Sequence, residues 1–160
     1  VVAGSLRRQK PTVGDVEILY NPKTEKRPDP QDMFNSITVN LVDETISTME
    51  GIGVLERRKN VAGRETFGPL NKLMRHRASS IPVDLFCEPS LADWFRSLVI
   101  RTGPKELNVR LITTAANRGI GVHAYGTGLT VMRGAPIACV SEEQFFDICG
   151  VRYLQPKDRR

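Results

Sequence analysis

Cysteine is scarce in this sequence, and the three that occur, Cys87, Cys139 and Cys149, form no Cys-x-x-Cys pair. An odd count without metal spacing reads as reduced, buried thiols, and it excludes a disulfide framework. Histidine is scarcer still. His76 and His123 each lack a second histidine or a cysteine at ligand spacing, so no zinc site is expected. No apolar stretch is long enough to span a bilayer. Internal repeats and low-complexity tracts are missing too, which sets aside solenoids and disordered linkers. No secretory signal is visible, but the chain opens on Val1, so that absence carries little weight.

What is present fits a globular α+β protein. The chain has 160 residues, of which 40% are hydrophobic and 26% charged. That is the size of one ordinary domain, or of two small subdomains sharing a core. Net charge is +5, which suits a polyanionic partner such as nucleic acid without requiring one.

Val1, Val2 and Ala3 read as the end of a buried strand, with a turn at Gly4-Ser5 and a short helix start at Leu6-Arg7-Arg8. Residues 15–20 alternate with period two and predict a strand. Residues 21–31, rich in Pro, Lys and Asp, predict an exposed loop. Residues 32–49 carry Met33, Ile37, Leu41 and Ile46 at helical spacing and predict a helix, although the β-branched residues argue the other way. Residues 51–58 and 70–77 predict a strand pair, and 81–86 a further strand. Beyond Pro89 the pattern turns helical, over 91–101 with Ser90 as N-cap and over 105–117 closed by Arg118-Gly119. A small hairpin-like region follows, and residues 141–150 form a helix with Ser141 and Gln144 as a capping box.

Chemistry is concentrated near the start. Asp15 and Glu17 lie two apart on the first strand, so they share a face. Asp84 sits between Pro82-Val83 and Leu85-Phe86. A carboxylate in an apolar strand is costly unless paired or metal-bound. Three such groups suit two Mg²⁺, hard cations that take oxygen ligands. Asp-x-Glu alone is more often a solvated strand face. Its neighbours change that weighting: Gly4-Ser5 offers backbone N–H groups to a phosphate, Arg8 can grip phosphate oxygens, and Gly14 leaves room beside Asp15.

Gly4-Ser5-Leu6-Arg7-Arg8 followed by Gly14-Asp15-Val16-Glu17 resembles the nucleotidyltransferase signature of the family X DNA polymerases, the group of DNA polymerase beta. Pro82-Val83-Asp84-Leu85 looks like the strand with that family's third metal ligand. Thr102-Gly103-Pro104 resembles its Thr-Gly turn, with Asn108, Gly119 and Tyr125 at family spacing, and Tyr153-x-x-Pro156-Lys157-Asp158-Arg159 resembles its ending. The resemblance spans nearly the whole chain and is weakest between Asn21 and Ser80.

It implies an α+β nucleotidyltransferase palm over residues 1–90, with a mixed or antiparallel sheet, and a small thumb over residues 91–160. Asp15, Glu17 and Asp84 would be catalytic and hold two Mg²⁺, for which Mn²⁺ can substitute, and Asp84 would lie nearest the primer 3′-hydroxyl. Gly4, Ser5, Arg8 and Gly14 would bind the phosphates of a dNTP. Ile100, Arg101, Thr102 and Gly103 would border the sugar, and Asn108 the base. A cis peptide is expected after Gly103, where Pro104 makes it easy. The partner would be primer/template or gapped DNA, with no membrane, and the location cytoplasmic, nucleoid or nuclear.

Departures qualify the picture. Glu17 stands where the family has Asp. Ile100-Arg101 replaces an aromatic pair that guards the sugar pocket, which predicts weaker exclusion of ribonucleotides. Ile112 stands in place of a thumb arginine, which predicts low fidelity. The family's lyase domain and fingers are not in this sequence. Arg110, Tyr125, Arg75 and Arg77 are candidate DNA contacts, and the basic run Arg57, Arg58, Lys59, Arg64, Lys72, Arg75 and Arg77 is as readily a solvated face as a DNA track. Residues 91–160 carry ten Lys/Arg against six Asp/Glu, which favours this half for backbone binding. Template-independent nucleotide transfer and an inactive DNA-binding role remain as alternatives.

Overall fold

The structure, a computed structural model, describes residues 1–124, 126–131 and 134–160. In chain order the elements are α1 (Gly4–Arg7), β1 (Val16–Tyr20), β2 (Thr24–Asp29), β3 (Asp32–Asn40), α2 (Leu41–Gly51), β4 (Leu55–Arg57), β5 (Asn71–His76) and β6 (Pro82–Cys87). A 3₁₀ turn at Leu91–Asp93 leads into α3 (Trp94–Thr102) and α4 (Lys105–Asn117). Strands β7 (Ile120–Val122) and β8 (Leu129–Val131), helix α5 (Glu142–Cys149) and a 3₁₀ turn at Pro156–Asp158 complete the chain. This is the α+β architecture the sequence implies.

Two compact units form: Val1–Leu19 together with Ser90–Arg160, and Tyr20–Pro89. The first nineteen residues pack with the C-terminal half.

The first unit is built on a helical core. Leu107, Leu111 and Ala115 recur every four residues along α4 and are all buried, so one stripe of that helix faces inward. They meet Val99 of α3, Leu129 of β8, and Phe145, Phe146 and Cys149 of α5. The Phe146 ring meets Tyr153 edge-on at 5.3 Å. Ser141 caps α5 as expected: its hydroxyl accepts from Gln144 N at 3.0 Å, and Gln144 Oε1 accepts from Val140 N at 2.7 Å. Burial pushes the Cys149 thiol up to about 12, so it stays protonated and apolar.

At the N-terminus, Val2 bridges antiparallel to Ile18, Ala3 N donates to Glu17 O at 2.8 Å, and Leu19 N donates to Val1 O at 2.9 Å. The expected strand end is thus a short ladder. Of residues 1–3 only Ala3 is buried, since Val1 and Val2 stay exposed, and Leu19 on the facing strand is buried too.

In the second unit β4, β5 and β6 form an antiparallel ladder, with Leu55 opposite His76 and Leu73 opposite Asp84. Residues 21–49 require two corrections. The expected loop contains β2, and the expected helix is β3 followed by the shorter α2. β3 holds Ile37, Thr38 and Val39, whose branched side chains suit a strand, and it pairs with β2 through Thr24–Asn40 to Pro28–Ser36. No strand residue of this hairpin is buried and most are exposed, so no burial pattern marks it in the sequence. Helix α2 begins where Asn40 Oδ1 accepts from Val42 N at 3.0 Å, with Asp43 and Glu44 in its first turn. Lys72 is buried and paired with Asp43 at 2.9 Å, so it does not join a surface track.

Candidate active site

Within the first unit a groove of about 320 Å³ is lined by Arg8, Glu17, Ile100, Arg101, Gly103, Pro104, Lys105, Asn108, Val109 and Ile112. Six of these ten were singled out as site residues from the sequence: Arg8, Glu17, Ile100, Arg101, Gly103 and Asn108. The chain folds them together because α1 and β1 stand at one side and the α3–α4 junction at the other.

Gly4 opens the turn at φ +60° and is buried. A Cβ there would collide with the Glu17 carboxylate, so the carboxylate lies directly on the Gly4 backbone. The Ser5 hydroxyl is buried and has no hydrogen-bond partner among the described residues. Arg8 Nη1 donates to the Thr102 carbonyl, and a Cβ added at Gly103 would lie 3.1 Å from the same nitrogen. Arg8 Nε is buried with no partner among the described residues. The guanidinium therefore both braces the α3–α4 junction and lines the groove. Gly14 meets nothing within 4 Å of its missing Cβ. Asp15 directly precedes β1 and is half-buried.

At the junction the Gly103–Pro104 peptide is cis, as the sequence suggests. Thr102 is fully buried, and its hydroxyl accepts from Arg7 Nη1 at 2.8 Å, so its side chain supports the groove from behind. Asn108 Nδ2 donates to the Ile100 carbonyl at 2.7 Å. Lys105, Asn108, Val109 and Ile112 form the α4 face of the groove at spacings of three and four, while Arg110 lies outside it. Lys105 and Val109 escaped the sequence reading, although helical spacing from Asn108 points to both.

Behind the groove, Arg7 makes a two-pronged pair with Glu142 at 2.8 and 2.7 Å, and Arg159 reaches the same carboxylate at 3.1 Å through both terminal nitrogens. Arg159 is fully buried and also donates to Leu154 O at 3.0 Å. Burial pushes the Glu142 carboxyl up, but the hydrogen bonds and charges of Arg7 and Arg159 outweigh it and hold the group below its usual range. Arg7 and Glu142 are 135 residues apart, and no local pattern connects them.

In the second unit Asp84 is buried on β6, and Arg58 Nη2 donates to its Oδ1 at 2.5 Å. Arg75 and Arg77 are exposed, each 3.5 Å from Glu56. Tyr125 lies outside the described residues. Within either unit, among the described residues, no group of three or more His, Cys, Asp or Glu is arranged to hold a metal ion. No helix among the described residues is long and apolar enough to cross a membrane.

A glycine turn under a carboxylate, an arginine-braced groove and three helices around a buried core make up the α+β fold of this unit. Residues 97–160 match the family model of the DNA polymerase beta thumb. Over 100% of the chain the fold is similar to Leishmania infantum polymerase beta in its ternary P/T complex, with a TM-score of 0.70 at 19% identity over 66% of that chain. The ternary gap complex of the same polymerase gives 0.70 at 19% identity, over 99% of this chain and 61% of that one. No curated protein matches the sequence. The likeness is one of fold, and the chain spans 66% and 61% of the lengths of these two solved chains.

Proposed function

We propose that the chain is a Mg²⁺-dependent DNA polymerase of family X type, which adds a dNTP to a DNA 3′-hydroxyl in gap-filling repair with low fidelity. The groove at the α3–α4 junction carries this reading. It joins cationic side chains suited to a triphosphate (Arg8, Arg101 and Lys105) to an apolar wall suited to a nucleoside (Ile100, Pro104, Val109 and Ile112).

In the reaction the primer 3′-oxygen forms a bond to the α-phosphorus while the α–β phosphoanhydride bond breaks and pyrophosphate leaves. When bound, Mg²⁺ would supply charge neutralisation at the phosphates and a lower cost of deprotonating the hydroxyl. Asp15, Glu17 and Asp84 would hold it, with the Asp84 carboxylate nearest the hydroxyl proton. Arg8 and the backbone at Gly4-Ser5 orient the β- and γ-phosphates. Asn108 stands at the base, and the buried Arg7–Glu142–Arg159 cluster keeps Thr102 and the groove floor in place.

A template-independent reading is favoured by one feature: the α4 wall ends in Val109 and Ile112, which offer no hydrogen-bond donor to a base pair. The test is primer extension in Mg²⁺ on a one-nucleotide-gapped duplex, each dNTP supplied singly, beside an Asp84→Ala control. The proposal expects insertion of the complementary nucleotide, lost in the control. Insertion of all four equally would favour template-independent transfer. No insertion by protein that still binds DNA would refute the polymerase reading.

A further inference from the structure

The β2–β3 hairpin is a sheet of two strands, and none of its strand residues is buried. Such a hairpin is marginal in water, because stability needs a third strand or a shared apolar face. Its two edges differ. β2 carries Glu25, Lys26, Arg27 and Pro28, residue types that discourage strand addition. β3 from Met33 to Asn40 has no charge, no proline and no glycine, and Ile37-Thr38-Val39 is a β-branched run.

The register shows which backbone groups are open. Pro28, which has no N–H, faces Ser36, and Leu41 N donates to Lys23 O at 2.9 Å. Hydrogen bonding to β2 therefore runs through Ile37, Val39 and Leu41, and the N–H and C=O groups of Ser36 and Thr38 point away from β2. An open groove of about 630 Å³ is lined by Thr38, Val39 and Asn40 of β3 together with α2. Its two carboxylates are already paired, Asp43 with Lys72 at 2.9 Å and Glu44 with Arg27 at 2.6 Å, so the groove suits an uncharged strand better than a cationic one.

We propose that this edge of β3 pairs antiparallel with the same edge of a second copy of the chain, giving a four-stranded sheet across a two-fold axis. β3 is self-complementary in that arrangement. With the axis at Thr38, Ser36 faces Asn40 of the second copy and Ile37 faces its Val39. Within the hairpin Ile37 and Val39 face only Arg27 and Glu25. The second copy gives each a branched apolar partner and satisfies the open backbone groups. No like charges meet along the seam, since the one charged residue of β3 is Asp32, at its far end.

The experiment is sedimentation velocity on the whole chain over a range of concentrations, for the unaltered protein, Thr38→Pro and Thr38→Lys. Circular dichroism confirms the fold of each. Thr38→Pro removes an outward N–H and leaves the donors of the β2 ladder in place. Thr38→Lys sets two ammonium groups against each other at the axis. The unaltered chain should dimerise reversibly. Each substitution should raise the dimer dissociation constant by at least about tenfold, and added salt should restore part of the loss in Thr38→Lys alone. A monomer at every concentration overturns the proposal and leaves the edge to a strand of another protein. A dimer of unchanged strength in both variants overturns it as well, by placing the contact elsewhere. Should Thr38→Pro unfold, Thr38→Lys decides, because an exposed strand lysine leaves the backbone intact.

Discussion

Replacing Glu142 by alanine tests whether the groove depends on the buried cluster behind it. Glu142 receives four hydrogen bonds, two each from Arg7 and Arg159, and side-chain exposure across the three groups is 20%, 9% and 0%. Removing the carboxylate leaves two guanidinium groups poorly solvated and without their counter-charge. Loss of one partner from such a cluster costs about 3–5 kcal/mol. Against a total stability of about 5–15 kcal/mol this is a large share. For a chain of this size each kcal/mol lowers Tm by about 2–4 °C, which gives a fall of roughly 6–20 °C. The control is Glu143→Ala, one residue on in the same helical turn and exposed, which should change stability by no more than about 0.5 kcal/mol. Thermal and urea denaturation followed by circular dichroism read both. Equal effects of the two substitutions would refute the argument that the cluster holds the unit together.

The same cluster sets a pH dependence. The Glu142 carboxyl is held below its usual range in the folded chain, so its stabilisation is complete above the unfolded value and is lost as pH falls through the folded value. Urea midpoints should therefore drop on acidification, and Glu142→Gln should flatten that part of the profile. Arg8→Ala should weaken dNTP binding by about tenfold or more, read by titration, since it removes a phosphate partner and a brace on Thr102; affinity within a factor of two would exclude Arg8 from the site. Ile112→Arg should increase selectivity for the complementary nucleotide, measured as the kcat/KM ratio of matched to mismatched insertion. Ribonucleotide insertion should be within about a hundredfold of deoxynucleotide insertion, because Ile100 and Arg101 offer no aromatic wall.

Local pattern carried much of the fold. The break at Thr102-Gly103-Pro104 and the closing Arg118-Gly119 bracketed α4, and the Ser141–Gln144 spacing located the start of α5, because helix ends and caps are a matter of adjacent residues. The β2–β3 hairpin was not legible. Its strands are held by backbone pairing and bury almost nothing, so Pro28 and the charged residues around it read as a loop.

For the site, the sequence by itself determined which residue types stand at Gly4, Ser5, Arg8, Glu17, Gly103 and Asn108, since a phosphate turn and a helix junction impose short-range spacing. Tertiary structure alone decided what those residues do. It laid the Glu17 carboxylate across Gly4, turned Arg8 toward Thr102, and sank Arg159 beneath Glu142 to meet Arg7 from the far end of the chain. Burial and long-range charge pairing arise only when distant segments close on one another, and nothing in a local window of sequence records which segments those will be.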